Sequence, residues 1–319
     1  MTVDDIHWAR TATGLVPVGE TEFAHDAAFS YTASDLRDFV AEKARGAITR
    51  DDVVSIGRAD IRSGGPDRIC ELLTGLHHGT WVIVNASEYS DLETVAYGAL
   101  LAERAGKRLL FRTGPSFVRA LAGTEPAAPL RGRRLWPAGR PAGHGLIVVG
   151  SHVGQTSRQL TVLRAQSDVT GIELSVPGIL SGAADLPART AQQVRDALSR
   201  SDVLLYTSRA VAAGGSARHS LQIARAVSAA VASTVRETLP ARPAWVLAKG
   251  GITAHDVALH GLRIRRAEVA GQLFPGMISV LSPVAAPPEA LGVPYVVFAG
   301  NVGDDATLAQ VVAILNELA

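Results

Sequence analysis

Short apolar runs alternate along this chain with stretches whose apolar residues recur every three or four positions. The first pattern reads as buried strand and the second as helix packed on one face. Residues 1–33 give little regular pattern. SDLRDFVAEKA then predicts a short helix capped by Ser34, and DVVSIG (52–57) predicts a strand. GGPDRICELLTGL places Ile69, Leu72, Leu73 and Leu76 at helical spacing, with Pro66 in the first turn where its missing N–H costs nothing. WVIVNA (81–86) is a second strand, Leu92, Val95, Ala96 and Ala99 stripe the helix after it, and KRLLF (107–111) is a third strand. Strands alternating with helices imply parallel pairing through right-handed crossovers.

The pattern collapses between Gly123 and Gly143, where TEPAAPLRGRRLWPAGRPAG carries prolines and glycines without periodicity. This predicts a linker over 124–143, between an α/β domain at 1–123 and another at 144–319. In the second domain GLIVVG (145–150), IELSV (172–176), DVLLYTS (202–208), AWVLA (244–248, broken by Lys249, Gly250 and Gly251) and YVVFAG (295–300) read as strands. Helices are expected from about Gln155, over ARTAQQVRDAL, after the Gly214–Gly215 turn with Ile223, Val227 and Val231 on one stripe, and at the end with Leu308, Val311, Val312 and Leu315. RIRRAEVAG and MISVLSP read as an antiparallel excursion around Pro275–Gly276. The expected fold class is α/β, with two domains of mainly parallel sheet flanked by helices.

Composition narrows the function classes. The 319 residues contain 31 Lys plus Arg against 30 Asp plus Glu, without the basic excess expected of a protein that grips a nucleic-acid backbone. The single cysteine, Cys70, excludes a disulfide within the chain and points to a reducing cytoplasm. No run is long enough to cross a bilayer, and the polar start MTVDDIHWAR is not a signal peptide.

In a parallel sheet the strand-to-helix turns lie along one edge, where ligands of open α/β folds bind. Three of these turns are rich in glycine: Gly150-Ser151, Gly250-Gly251-Ile252-Thr253 and Gly300-Asn301-Val302-Gly303. Glycine lets the backbone approach a ligand, free N–H groups at a helix start favour an anion, and Ser or Thr adds a hydroxyl. Thr253 and Asp256 have the spacing of a capping box, which predicts a helix starting at Thr253. Lys249 supplies either a point charge for a phosphate or one half of a salt bridge to a neighbouring acid. Asp304 and Asp305 open the last helix, where they complement its dipole or bind magnesium. Neither G-x-x-x-x-G-K-[ST] nor a G-x-G-x-x-G after the first strand of either half occurs, which argues against a P-loop protein and a conventional dehydrogenase. Ser151 lacks the G-x-S-x-G context of a hydrolase nucleophile. The histidines, among them His77–His78, His255 and His260, lack the spacing of helix-borne metal ligands.

AKGGIT-x-x-DVA, the GQLFPGM loop and the terminal FAGNVGDD together resemble the nucleotide-binding C-terminal domain of the four-carbon acid sugar kinase family. VVGSHVGQTSRQL is similar to that family's opening strand and helix, of form G-S-x-S-x-x-T-x-x-Q: Gly150, Ser151, Thr156 and Gln159 match, and Val153 departs. GETEFAHDAAFSY, DIRSGGP, VNASEYSDLE and LLFRTGPSFVRALAG resemble the middle of the family's longer members. The resemblance implies ATP-dependent phosphorylation of small sugar acids such as threonate or erythronate, with magnesium, ATP in the second domain and the acid in the first. The family's ATP contacts fall on Ser151, on Gly250 to Thr253 and on Gly300, and the wider expected nucleotide site adds Lys249, Asn301 and Gly303. Ile252 stands where the family's G-G-E-T has Glu, so a side-chain contact is lost while the backbone donors stay.

The family's D-D-x-T-G and S-D-S-T-x-R-G segments do not occur in residues 1–319, and the resemblance places Met1 well inside the first domain. That predicts an incomplete first domain, leaves the general base unassigned and allows a non-catalytic nucleotide-binding module as the alternative. Arg112 is the retained first-domain residue assigned to the acid substrate, against a structural ion pair as its other reading. Exposed first-domain strands would favour a homodimer.

Overall fold

The computed structural model of the chain describes residues 1–11, 14–25, 30–77, 79–150, 154–208 and 217–317. Ser151, Val153, His78 and the Gly214–Gly215 turn lie outside them. Two compact units divide the chain at Pro126/Ala127.

The first unit opens with an antiparallel sheet of β1 (Thr2–Val3), β2 (Ile6–Thr11) and β3 (Gly14–Pro17). Helix α1 (Leu36–Ala44) follows, capped by Asp35, whose carboxylate accepts from the Arg37 and Asp38 amides. The expected cap, Ser34, instead accepts from the Gly19 amide, because the carboxylate one residue later reaches the helix's free N–H groups. β4 (Val53–Ile56) and β5 (Trp81–Val84) pair in parallel as expected. Around them stand α2 (Arg58–Arg62), α3 (Gly65–Thr74), α4 (Tyr89–Arg104) and α5 (Pro115–Ala122). Ile69, Leu73, Val95, Ala96 and Ala99 bury the predicted stripes against Ile56, Ile61 and Phe117. KRLLF forms no ladder, and Leu110 is fully exposed, so the third strand read from its hydrophobicity is a segment without regular structure instead.

The second unit is built on a seven-stranded sheet of order β10-β11-β12-β9-β6-β8-β7. Its strands are β6 (Leu146–Val149), β7 (Thr170–Leu174), β8 (Val203–Thr207), β9 (Val246–Lys249), β10 (Arg266–Phe274), β11 (Met277–Ala285) and β12 (Tyr295–Phe298). β12, β9, β6, β8 and β7 run parallel, and β10 and β11 form the antiparallel excursion. From β6 the chain crosses to β7 and β8 on one side, then returns to β9 on the other. That reversal makes the carboxyl ends of β6 and β9 the switch point of the sheet, where ligands of open α/β folds bind. The central strands β6, β8, β9 and β12 are buried on both faces, which is why they read as continuous apolar runs, whereas β7 and β10 at the edges are largely exposed. α7 (Gly154–Gln166) and α12 (Thr307–Asn316) pack on one face; α9 (Leu186–Leu198), α10 (Ala217–Thr238) and α11 (Gly251–Asp256) cover the other, with the short α8 (Val176–Leu180) nearby.

Residues 127–143, expected as a linker, lie within the second unit. The Leu130 amide donates to the Gln272 carbonyl, the Arg131 guanidinium donates to the Leu273 carbonyl, and Leu135, at the end of the short α6 (Gly132–Leu135), and Trp136 are buried in the core beside β6 and β9. The prolines and glycines bend the segment, and its few large apolar residues anchor it without any periodicity.

Candidate functional site

Register places the three glycine turns side by side. Val149 and Phe298 both pair with Lys249, so the chain leaves β6, β9 and β12 at one level of the sheet. Adjacent strands are about 4.8 Å apart, which puts the three exits within about 10 Å of one another. The Gly250 amide donates to the Phe298 carbonyl at 2.8 Å. A β-carbon on Gly150 would lie 2.5 Å from the Thr253 hydroxyl, so Gly150 and Thr253 abut. Gly150, Thr253, Lys249 and Gly300 therefore converge; Ser151, the remaining residue expected at this rim, lies outside the described residues.

The central turn needs its glycine. Gly250 has φ +109, a conformation open to glycine, and it caps α11. Gly251 is exposed with open space where a β-carbon would stand, and Ile252 is 69% exposed. The helix begins at Gly251, two residues before the predicted start, so Thr253 lies inside the first turn and does not cap it. Asp256 accepts from the Ser228 hydroxyl of α10, so the expected capping box is not formed. The Tyr295 hydroxyl, whose pKa burial raises, donates to the Ala254 carbonyl at 2.6 Å and fixes α11 against β12.

Lys249 is fully buried. Its ammonium donates to the carbonyls of Ala299 (3.2 Å) and Gly300 (3.4 Å) and lies 4.1 Å from the centre of the Phe298 ring. It makes no salt bridge among the described residues, so the alternative of a neighbouring acid is not met. Burial lowers its pKa to about 7.

The third turn is braced from α7. The Gln155 amide donates to the Gly303 carbonyl, and the buried Gln159 amide donates to those of Asp304 (2.7 Å) and Val302 (3.3 Å). Gly303 has φ +80, and a β-carbon there would lie 2.6 Å from the Thr307 side chain. The Asp304 carboxylate accepts from the Ala306 amide and the Thr307 hydroxyl, which braces the turn before α12; Asp305 pairs with Arg158 at 3.0 Å. Both acids thus have protein partners. Among the described residues no cluster of three His, Cys, Asp or Glu could hold a metal, and His255 and His260 are exposed. The single-residue signals for Ile252 and Gly303 were legible in the sequence, whereas the bracing role of Gln155 and the carbonyl clamp of Lys249 were not.

In the first unit, Arg112 is exposed, with its guanidinium 5.8 Å from the centre of the Phe39 ring, and it makes no ion pair among the described residues. At the carboxyl ends of β4 and β5, Asp5 accepts from Ser55 (2.5 Å) and Asn85 (2.8 Å) and pairs with Arg37 (3.0 Å). Burial raises the Asp5 pKa, but these donors outweigh it and leave the carboxyl below its usual range. Arg62 grips Asp91 through two nitrogens at 2.8 and 3.0 Å, joining the DIRSGGP and VNASEYSDLE segments. This pairing is the main reason the buried Asp91 titrates well below a usual carboxylate.

Known proteins place this arrangement. The family model of a nucleotide-binding C-terminal domain matches residues 146–308, and that of a sugar-binding N-terminal domain matches residues 1–121. A crystal structure from Salmonella typhimurium LT2, provisionally named a tRNA synthase, is similar with a TM-score of 0.58 and 16% identity over 97% of this chain and 69% of that one. Haemophilus influenzae protein HI1011 aligns with 97% of this chain and 70% of its own at 16% identity and a TM-score of 0.47. A Bordetella bronchiseptica domain-swapped dimer with bound citrate aligns with 98% and 70% at 17% identity and a TM-score of 0.46. A search of curated proteins gives no significant match. With one domain model on each unit and the two in the family's order, the chain belongs to the four-carbon acid sugar kinase family.

Proposed function

We propose that the chain binds ATP at the rim formed by Gly150, Gly250 to Thr253, and Gly300 to Gly303, and transfers its terminal phosphoryl group to a hydroxyl of a small sugar acid such as threonate or erythronate. The observation that carries this reading is the convergence of three glycine turns at one level of the sheet, beside a buried cation. Phosphoryl transfer asks a protein mostly for positioning and charge neutralisation, which backbone amides and a lysine supply. Ser151, next in sequence to Gly150, is assigned to the same phosphates. Asn301 and Gly303 shape the third turn, and Gly251 leaves room for the ligand.

ATP supplies the transferable phosphoryl group. Magnesium enters the proposal as the nucleotide's own counter-ion: Asp304 and Asp305 are held by protein partners, and no step is assigned to a protein-bound metal. Arg112 is proposed to bind the carboxylate of the acid, on the strength of its exposed guanidinium. The lone Cys70 fits a cytoplasmic setting, and a homodimer is proposed on the exposed apolar residues of the first unit, Leu110 among them.

A coupled ADP-release assay over a panel of threonates and erythronates, run alongside calorimetry with ATP, tests the function. Turnover supports the kinase. Binding without turnover supports a nucleotide-binding module, and no binding overturns both.

A further inference from the structure

The buried Lys249 carries more than the nucleotide reading requires. β9 alternates its side chains across the sheet: Val246 and Ala248 face α10 and α11, whereas Leu247 faces α7 and α12. Lys249 therefore shares the face of Leu247 and ends against Phe298, beneath the turn that leads to α12. Its two hydrogen-bond acceptors are the successive carbonyls of Ala299 and Gly300. In a trans peptide the C=O and the following N–H point in opposite directions. Pulling these two carbonyls inward turns the amides of Gly300 and Asn301 outward, to the rim. Neither amide has a backbone acceptor among the described residues. Two successive outward amides above a buried ammonium form an anion-binding concavity.

Resting on the nucleotide reading above, we propose that Lys249 is the positioning residue of this site. It holds the Ala299 and Gly300 carbonyls so that the next two amides face the polyphosphate, and it contributes the buried positive charge that the polyphosphate neutralises.

An ammonium taken out of water is costly unless it is paired. The charged groups on neighbouring elements are engaged elsewhere. On α7, Arg158 pairs with Asp305, and Arg164 stacks on Tyr206 of β8. Before α12, Asp304 accepts from the Ala306 amide and the Thr307 hydroxyl. On α11, His255 is exposed and Asp256 accepts from Ser228, while Tyr295 of β12 donates to Ala254. His152 lies outside the described residues. Burial alone accounts for a Lys249 pKa of about 7. A bound polyanion favours the charged form and raises that value. Nucleotide binding above pH 7 therefore takes up a proton, and affinity falls as pH rises, by up to about tenfold per unit between the free and bound values.

Calorimetry with ATP at pH 8, in two buffers of different ionisation enthalpy, reads the proton directly. The wild type is expected to take up most of a proton. Lys249→Met is expected to bind about tenfold or more weakly, the scale of one charge-assisted hydrogen bond, and to take up less. ATP binding by the wild type without proton uptake, or equal affinity and uptake in Lys249→Met, overturns this proposal and leaves the nucleotide reading standing. No ATP binding by the wild type overturns both. Should Lys249→Met fail to fold, the wild-type uptake and its pH profile still decide.

Discussion

Gly150 and Thr253 touch across the carboxyl ends of β6 and β9: a methyl group on Gly150 would lie 2.5 Å from the Thr253 hydroxyl and 3.4 Å from its methyl carbon. Two turns more than 100 residues apart in sequence are thus in van der Waals contact at the rim. Gly150→Ala is expected to destabilise the chain by about 1–3 kcal/mol, the usual cost of overpacking. Thr253→Ala removes the clashing atoms, so the double variant should recover part of that loss. Denaturant melts of the four proteins measure the coupling, and strictly additive effects would mean that the two residues do not meet.

The glycines of the rim separate stability from binding. Gly303 has φ +80 and faces the Thr307 side chain, so Gly303→Ala is expected to cost about 1–3 kcal/mol through backbone strain and crowding. Gly251 has ordinary backbone geometry and open space around its missing side chain. Gly251→Leu should therefore leave the melting temperature nearly unchanged while lowering ATP affinity by about tenfold or more, because the new side chain occupies the proposed phosphate position. Thermal melts and calorimetry on one sample check both halves, and unaltered affinity would remove Gly251 from the site.

Ile252 tests whether donors at this rim belong to the backbone. It is 69% exposed, so Ile252→Ala should change stability by no more than about 0.5 kcal/mol. If the ligand is held by main-chain amides, ATP affinity should also change little. A large loss of affinity would assign the side chain a direct contact.

The central strands of the second unit were legible because β6, β8, β9 and β12 are buried on both faces and read as apolar runs, from LIVV at Leu146 to YVVF at Tyr295. The helix stripes were legible for the same reason: Leu308, Val311, Val312 and Leu315 all reach the core. Hydrophobicity misled at KRLLF, since an apolar segment is a strand only where a neighbour offers ladder hydrogen bonds. Capping misled at Thr253, because Gly250, with φ +109, starts the helix two residues earlier. The Lys249 clamp was out of reach: it depends on backbone carbonyls 50 residues away, which leave no trace in side-chain spacing. Trp136 and Leu130 were hidden by their setting among prolines and glycines, which looked like linker.

That buried strap gives a further test. Trp136 is 3% exposed and packs in the core of the second unit. Trp136→Ala is expected to cost about 3–5 kcal/mol, as for large core aromatics. A residue in a solvated linker would cost almost nothing. Urea unfolding followed by a probe in the second unit distinguishes the two.

Asp91 gives a prediction in acid. Its carboxylate is 1% exposed and held by Arg62, with the Ser87 and Glu88 amides adding hydrogen bonds. These partners lower its pKa in the folded chain. A carboxyl whose folded pKa lies below its unfolded value, about 3.9 for Asp, stabilises the fold above that value and stops doing so as pH falls through the folded pKa. Asp91→Asn keeps the shape but removes the charge, leaving Arg62 without its bidentate partner. The variant should melt several degrees below the wild type at pH 7. The gap should narrow as pH drops below the ordinary Asp range, because the unfolded wild-type chain then gains a proton that the folded carboxyl resists. Melting curves from pH 7 downward read this directly. A gap of constant size would show that the loss comes from packing, with no contribution from the charge on Asp91.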